Sequence, residues 1–512
     1  MDSAQRYDRQ LRLWGDYGQR CLQKSHICVL GSSAVATELL KNLVLPGIGR
    51  FTIIDNEIVS EGDLGTNFFV THSDLGKSRA KVTTQNLLEM NDQVQGDGLY
   101  QDWSTLLNES PDFFAKFNLV ALTQCTNSKL TSQLAALCWQ LRIPLVITYV
   151  AGFLGHIRVQ VAEHTVTETH TTNTLDLRLD CPFPAMKELF SKFNLDCEDP
   201  IEHGNIPFVV ILYHILEQWK RNNPQKTILS FSDKREIRAM VRQARHNSQE
   251  ENFQEAEEYV VRALNPTVLP ANVLALFDHP TCRSQLTEAS NTFWILIRAL
   301  ADFVNKEGQG RLPVSGQVPD MKTDTNSYVS IQRVYHEQAE RDYQCVRSRV
   351  HDWLKQLGRS LADISDDEIR RLCKHAAESR LQRGSEWSKE LNRLPRSTSN
   401  GELGSNLLWY LAYHAFYNQI QITSNSSALE GYIQPWQKEG GTHAGPTGLI
   451  CHLQTRLDYL MKHSKSELHN TAAMVGGMVA QEIVKLVTHQ YLPLLNTCIV
   501  NNIEATTSSF SW

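Results

Sequence analysis

The chain contains no apolar run of the ~18–20 residues that a membrane span needs. It contains no C-x-x-C pair. Its 11 cysteines are scattered and odd in number, which argues against a disulfide framework and a zinc knuckle and points to reduced thiols in a cytoplasmic or nuclear compartment. Neither sign of charge dominates: 50 Lys and Arg stand against 56 Asp and Glu, a formal charge of -6, which argues against a strongly basic nucleic-acid binder. The 18 histidines include no H-E-x-x-H pair, so no metal site is expected from them. The opening MDSAQRYDRQLRLWG sets acids beside bases and lacks an apolar core, so it is not expected to be a secretory signal. What remains is 512 residues, 41% of them hydrophobic, enough for about three domain-sized units.

Three textures follow one another. Residues 1–163 alternate short apolar strands (HICVLG, RFTIID, NLVALTQ, PLVITYVAG) with helices such as AVATELLKNLVL, which Pro46, Gly47 and Gly49 stop. Strands that are apolar throughout, spaced by helices, indicate a mostly parallel sheet covered on both faces. Residues 164–465 read as mostly helical, with wide apolar faces in IPFVVILYHILEQWKR and TFWILIRALADFVNKEG. Ser365 followed by Glu368 predicts a capping box there. Residues 466–512 return to a helix and a strand, LNTCIVN, and are expected to complete the sheet. The fold class expected is therefore α/β, Rossmann-like, interrupted by a large helical insert.

A strand that ends at Gly31, a following helix, and an acid, Asp55, 24 positions later form the outline of a nucleotide site. The glycine pattern is broken. Ser33 stands where backbone must approach phosphate, and Ala36 where a helix must pack closely on a strand. On these residues alone two readings stay open: a nucleotide site, or an α/β core that kept the topology and lost the ligand.

The segments Arg6–Gly15 (RYDRQLRLWG), Leu40–Leu43, Pro46–Gly49 and Asp74–Ala80 (DLGKSRA) resemble the activating enzymes for ubiquitin and ubiquitin-like modifiers. Lys306–Val314, Pro319–Met321 and Ala473–Glu482 bring the resemblance, over essentially the full length, to the regulatory subunits of the neddylation activating enzyme, the amyloid-precursor-protein-binding protein family. The resemblance implies a ThiF-type adenylation fold. Active members adenylate a modifier's C-terminal glycine with ATP and magnesium. Read across, the ribose acid survives as Asp55, the phosphate lysine falls on Arg79, the Asn-Arg pair falls on Asp63–Thr66, and the metal acid falls near Thr126. Loss of a cationic clamp together with a metal ligand implies a catalytically silent half in which Gly31, Ser33, Ala36, Asp55 and Arg79 are vestigial. It implies no cofactor bound by this chain, with ATP and magnesium in a catalytic partner. It also implies contact with a ubiquitin-like modifier and, indirectly, with a conjugating enzyme. Arg9 is implied to act in trans on the partner's ATP, a role suited to a planar, permanently charged guanidinium.

The Gly/Pro segment from Gly308 to Met321, with Pro313 and Pro319, reads as a docking loop. Tyr328, Gln332, Tyr335 and Ala339 follow at helical spacing on one face and are expected to join it as a partner interface. Cys282 and Cys181 read as ordinary thiols. Gly476 and Gly477 are costly inside a helix and predict a close approach to the sheet or to a second chain. Two rival functions are a self-sufficient nucleotide-dependent enzyme and a non-enzymatic scaffold.

Overall fold

A computed structural model describes residues 6–124, 128–168, 175–226, 229–388, 405–417 and 446–511. The position near Thr126 lies outside them. The chain divides into two compact units, residues 1–164 with 382–512, and residues 165–381.

The first unit is built on an eight-stranded sheet in the order β10-β9-β6-β5-β4-β1-β2-β3. Its parallel half comprises β1 (His26–Leu30), β2 (Arg50–Ile54), β3 (Gln95–Leu99), β4 (Leu119–Leu122) and β5 (Leu145–Ala151). β6 (Leu154–Gln160), β9 (Thr497–Asn501) and β10 (Thr506–Phe510) then extend it antiparallel. β7 (Glu163–Val166) and β8 (Arg380–Arg383) form a separate two-stranded sheet. The sheet's alternate residues feed two cores, as strands buried on both faces must. Cys28, Leu30, Val120 and Leu122 pack with the helix Ser405–Tyr417 on one face. Ile27, Val29 and Ile53 pack with the helices Ala34–Val44 and His469–Thr488 on the other.

The return to the α/β unit differs from the expected position at 466. It comes at 382, because Trp387 and the Ser405 helix bury their aromatic side chains in the same cluster as the strands. Among the described residues no helix is long and apolar enough to cross a membrane.

The second unit is helical with two cores. One gathers the helices Phe208–Asn222, Phe231–Ala244 and Glu251–Ala263. The other gathers Thr292–Asn305, the later part of the long helix Thr325–Gln356, and Asp366–Lys374. The last of these opens on the capping box predicted at Ser365 and Glu368.

The glycine pair resolves into two different positions. A Cβ on Gly476 would stand 2.8 Å from the Leu39 backbone N and 2.9 Å from Glu38 Cβ, so the close approach is to the Ala34 helix rather than to the sheet. A Cβ on Gly477 would meet nothing nearer than Asn42 Nδ2 at 4.0 Å. Gly476→Ala should therefore destabilise the fold by about 1–3 kcal/mol through overpacking. Gly477→Ala should be neutral or stabilising by up to ~1 kcal/mol through helix propensity. Thermal unfolding of the two variants checks this, and equal shifts in the same direction would refute the assignment.

Candidate functional site

The outline of the nucleotide site is assembled at the carboxyl ends of β1 and β2. Gly31 ends β1 with φ +101, and a Cβ there would lie 2.5 Å from Gln124 Cγ, so only glycine fits. Ser33 is the N-cap of the Ala34 helix, but its side chain makes no capping bond. Ala36 is fully buried in the core beneath.

Asp55, 1% exposed at the end of β2, is enclosed by donors from its own chain. Its Oδ2 accepts from Ser32 N at 3.0 Å, from the Ser32 hydroxyl, and from Arg79 Nε at 2.8 Å. Its Oδ1 accepts from Glu57 N at 3.0 Å. Arg79 shares its fork: Nη1 donates to Asp63 Oδ1 at 2.9 Å. Burial alone would raise the Asp63 carboxyl, but hydrogen bonds from Ser60 and the Arg79 charge outweigh it and hold the group below the usual carboxylate range. Asp63 is placed by a capping box with Ser60, and Asn67 closes the wall by donating to Ser32 O at 3.2 Å. The one guanidinium that reaches Asp55 is thus divided between two carboxylates.

The first turn of the Ala34 helix offers free backbone N–H groups, the usual seat for a phosphate. Here the Val35 N–H donates to Glu467 Oε2 at 2.9 Å. Burial pushes the Glu467 carboxyl up to about 6, a rise that the Val35 hydrogen bond only partly offsets. An internal carboxylate therefore occupies the position that suits an anionic ligand.

Gly31, Ser33, Asp55 and Arg79 lie together at the carboxyl ends of β1 and β2. Arg9 stands apart, exposed on the helix Asp8–Lys24, and makes no hydrogen bond or ion pair with the described residues; Asp8 pairs instead with Arg12 at 3.0 Å. Its helix is fixed on both sides, by Tyr7 OH to Gln93 Oε1 at 3.0 Å and by Gln490 Nε2 to Trp14 O at 2.9 Å.

The interface reading is corrected in part. Tyr335 is fully buried, and its hydroxyl donates to Leu177 O at 2.6 Å within the helical unit. Pro313 is buried too, beside Val314, whose N–H donates to Asp342 Oδ2 at 2.8 Å, while Arg178 Nη2 donates to Leu312 O at 2.8 Å. The Gly/Pro segment is thus held by the unit's own core and is not a free loop at Pro313. Pro319, Tyr328, Gln332 and Ala339 remain partly exposed. Cys282 is buried, and burial raises its thiol pKa, the opposite of what a nucleophile needs. Burial likewise raises the thiol of Cys181.

Sequence reasoning gave no role to Ser32, Asn67 or Glu467, and named Asp63 only as the start of the stretch where the Asn-Arg pair falls, not as a partner of Arg79. The Ser60-x-x-Asp63 capping spacing was a usable signal for Asp63. Glu467 carried none, since it reaches Val35 from 432 residues away.

Fold and site together define an adenylation-type α/β domain, and the ThiF family model matches residues 7–511. The NEDD8-activating enzyme E1 regulatory subunit of Gallus gallus is 37% identical over 533 residues, covering 99% of this chain and 98% of that protein. The Arabidopsis thaliana regulatory subunit AXL is 32% identical over 527 residues, with 99% of each chain covered. The regulatory subunit of Saccharomyces cerevisiae is 25% identical over 522 residues, again with 99% of each chain covered. The chain belongs to this family of NEDD8-activating enzyme E1 regulatory subunits.

Glu467 gives the site a pH signature. Its carboxyl is easier to protonate in the folded chain (about 6) than at the ordinary 4.5, so the folded state binds more protons between those values. Stability should fall as pH rises through that window. Glu467→Gln keeps a carbonyl acceptor without the charge. The variant should be more stable than the parent at pH 7, with the difference fading by about pH 4.5. Thermal midpoints across this range check it, and parallel profiles for the two proteins would refute it.

Proposed function

We propose that this chain is the non-catalytic subunit of a heterodimeric activating enzyme for the ubiquitin-like modifier NEDD8. It supports ATP-dependent adenylation and thioester formation carried out by a catalytic partner. The observation that carries the reading is the filled cradle: Glu467 sits on the helix N-terminus, and Arg79 is committed to Asp55 and Asp63. A nucleoside triphosphate does not fit these residues. It would meet three carboxylates and one guanidinium already shared, where phosphoryl chemistry needs an excess of positive charge. ATP and magnesium accordingly belong to the partner, and the modifier is held between the two chains, with the conjugating enzyme reached through the partner.

Arg9 is the group this chain offers to that partner. It is exposed and uncommitted, on a helix whose flanks are pinned, so its position is fixed while its guanidinium is free. Such a residue can bind an oxyanion of another chain bidentately. Reconstitution tests the proposal: this chain alone and the partner alone should form no modifier thioester, and the two together should. Thioester formation by this chain alone would sink it. Arg9→Ala should slow pyrophosphate exchange by the heterodimer roughly 10-fold or more, with assembly unchanged on size exclusion. An unaltered exchange rate would remove Arg9 from the reaction.

A further inference from the structure

In the helical unit a second set of chemistry-bearing residues lies together, unrelated to the cradle. His203 ends the short helix Pro200–Gly204 and is fully buried. Glu250, 5% exposed, precedes the Glu251 helix, and His246 is exposed on the loop between the two helices that flank it. Each of the three offers one ligand atom, and these atoms all lie within 4.8 Å of one another. His203 Nδ1 is 2.9 Å from Glu250 Oε1. The His246 ring stacks on His203 with centroids 3.8 Å apart and planes 7° apart, and Phe253 covers the other face at 4.6 Å.

We propose that His203, His246 and Glu250 form a binding site for a divalent transition-metal ion of the zinc class, with water from the adjoining cleft as the remaining ligand. Two imidazoles and a carboxylate are a borderline-soft donor set that suits zinc and fits calcium or magnesium poorly. The carboxylate is held in place from both sides, by His203 and by the His246 N–H, which donates to its Oε2 at 2.8 Å. The basic side chains close by are committed elsewhere. Arg245 donates to Asn247 O at 2.6 Å and to Ser248 O, and Lys322 pairs with Glu251 at 3.0 Å. The buried His203 Nε2 has no hydrogen-bond partner. A cation taking His203 Nδ1 replaces the hydrogen shared with Glu250 and leaves the neutral ring's N–H on Nε2.

The frame is also rigid, as a ligand set must be. Asn252 Nδ2 donates to His203 O at 2.9 Å, Gln249 N to Asn247 Oδ1 at 2.8 Å, and Gln254 Nε2 to Ser248 O at 2.9 Å. His246 is the mobile ligand, since its exposed ring can turn out of the stack to present a nitrogen. The cleft that opens beside Glu250, lined by Gly204, Asn205, Asn247 and Asn252, supplies the entry path. The bound ion clasps the His203 helix end to the loop before the Glu251 helix.

Titration of the full chain with Co2+ or Zn2+ alone tests the site. One Co2+ per chain is expected, with visible d–d absorption and no thiolate charge-transfer band, which separates this site from the cysteines. His246→Ala and Glu250→Gln should each weaken binding by about 10-fold or more. Because His246 is exposed, its replacement should leave the far-ultraviolet circular dichroism unchanged. Absence of stoichiometric binding to the parent chain would overturn the assignment, as would affinity unchanged in His246→Ala.

Discussion

The charge balance at the carboxyl ends of β1 and β2 governs what this chain can do. A helix N-terminus carries roughly half a positive charge, and an anion seated there gains on the order of 0.3–2 kcal/mol. Glu467 takes that seat through the Val35 N–H. The Arg79 fork is taken as well, by Asp55 and Asp63, with the side chain only 12% exposed. Removing one partner from such a buried arrangement costs about 3–5 kcal/mol, because the remaining charge is left in low dielectric. A triphosphate would have to displace a bonded carboxylate from the helix and win a guanidinium from two others, while adding its own negative charge. The groups that suit an anion are thus bonded to the chain's own carboxylates.

The same contact ties the cradle to the completion of the fold. Glu467 stands two residues before the helix that starts at His469, which lies against the Ala34 helix so closely that Gly476 has no room for a Cβ. β9 then pairs with β6, and β10 with β9, closing the sheet's antiparallel half. The last segment of the chain therefore buries the sheet, braces the phosphate-seat helix and supplies the carboxylate that fills it.

How much of this was legible follows from the range over which each signal acts. β1, β2, β4, β5 and β9 are short apolar runs, so their existence could be read directly. β3, QGDGL, and β10, TTSSF, are edge strands with glycines or small polar residues and little hydrophobic signal. The broken glycine pattern could be read directly, because Ser33 and Ala36 are local substitutions. What fills the cradle was invisible, because Glu467 and Val35 meet only through tertiary structure. Tyr335 was misplaced for the same reason: helical spacing gives a face but not what covers it, and the Leu177 carbonyl that takes its hydroxyl lies 158 residues away. The histidines show the converse limit. His246 and Glu250 are four apart on a loop, and the third member comes from 43 residues upstream, so no helical motif could reveal them.

A surface side chain is best placed to bind an anion on another chain when its backbone is held and its charge is unpaired. The N-terminal helix meets that condition. Its kink at Gly15 (φ +63) lets Trp14 turn its indole N–H to Gln19 at 2.9 Å, while Gln19 Nε2 reaches Pro46 O at 2.8 Å. Arg6 on the other flank pairs with Asp92 and donates to Asn91 at 3.0 Å. Arg9 lies between these anchors and is held by neither. Fixing a long cationic side chain's backbone removes part of the entropy cost of its binding an anion on another chain, whereas leaving the guanidinium unpaired removes the need to break an internal ion pair first. Within one unit, therefore, one arginine, Arg79, is held by two internal carboxylates, and another, Arg9, is exposed without an ion pair among the described residues.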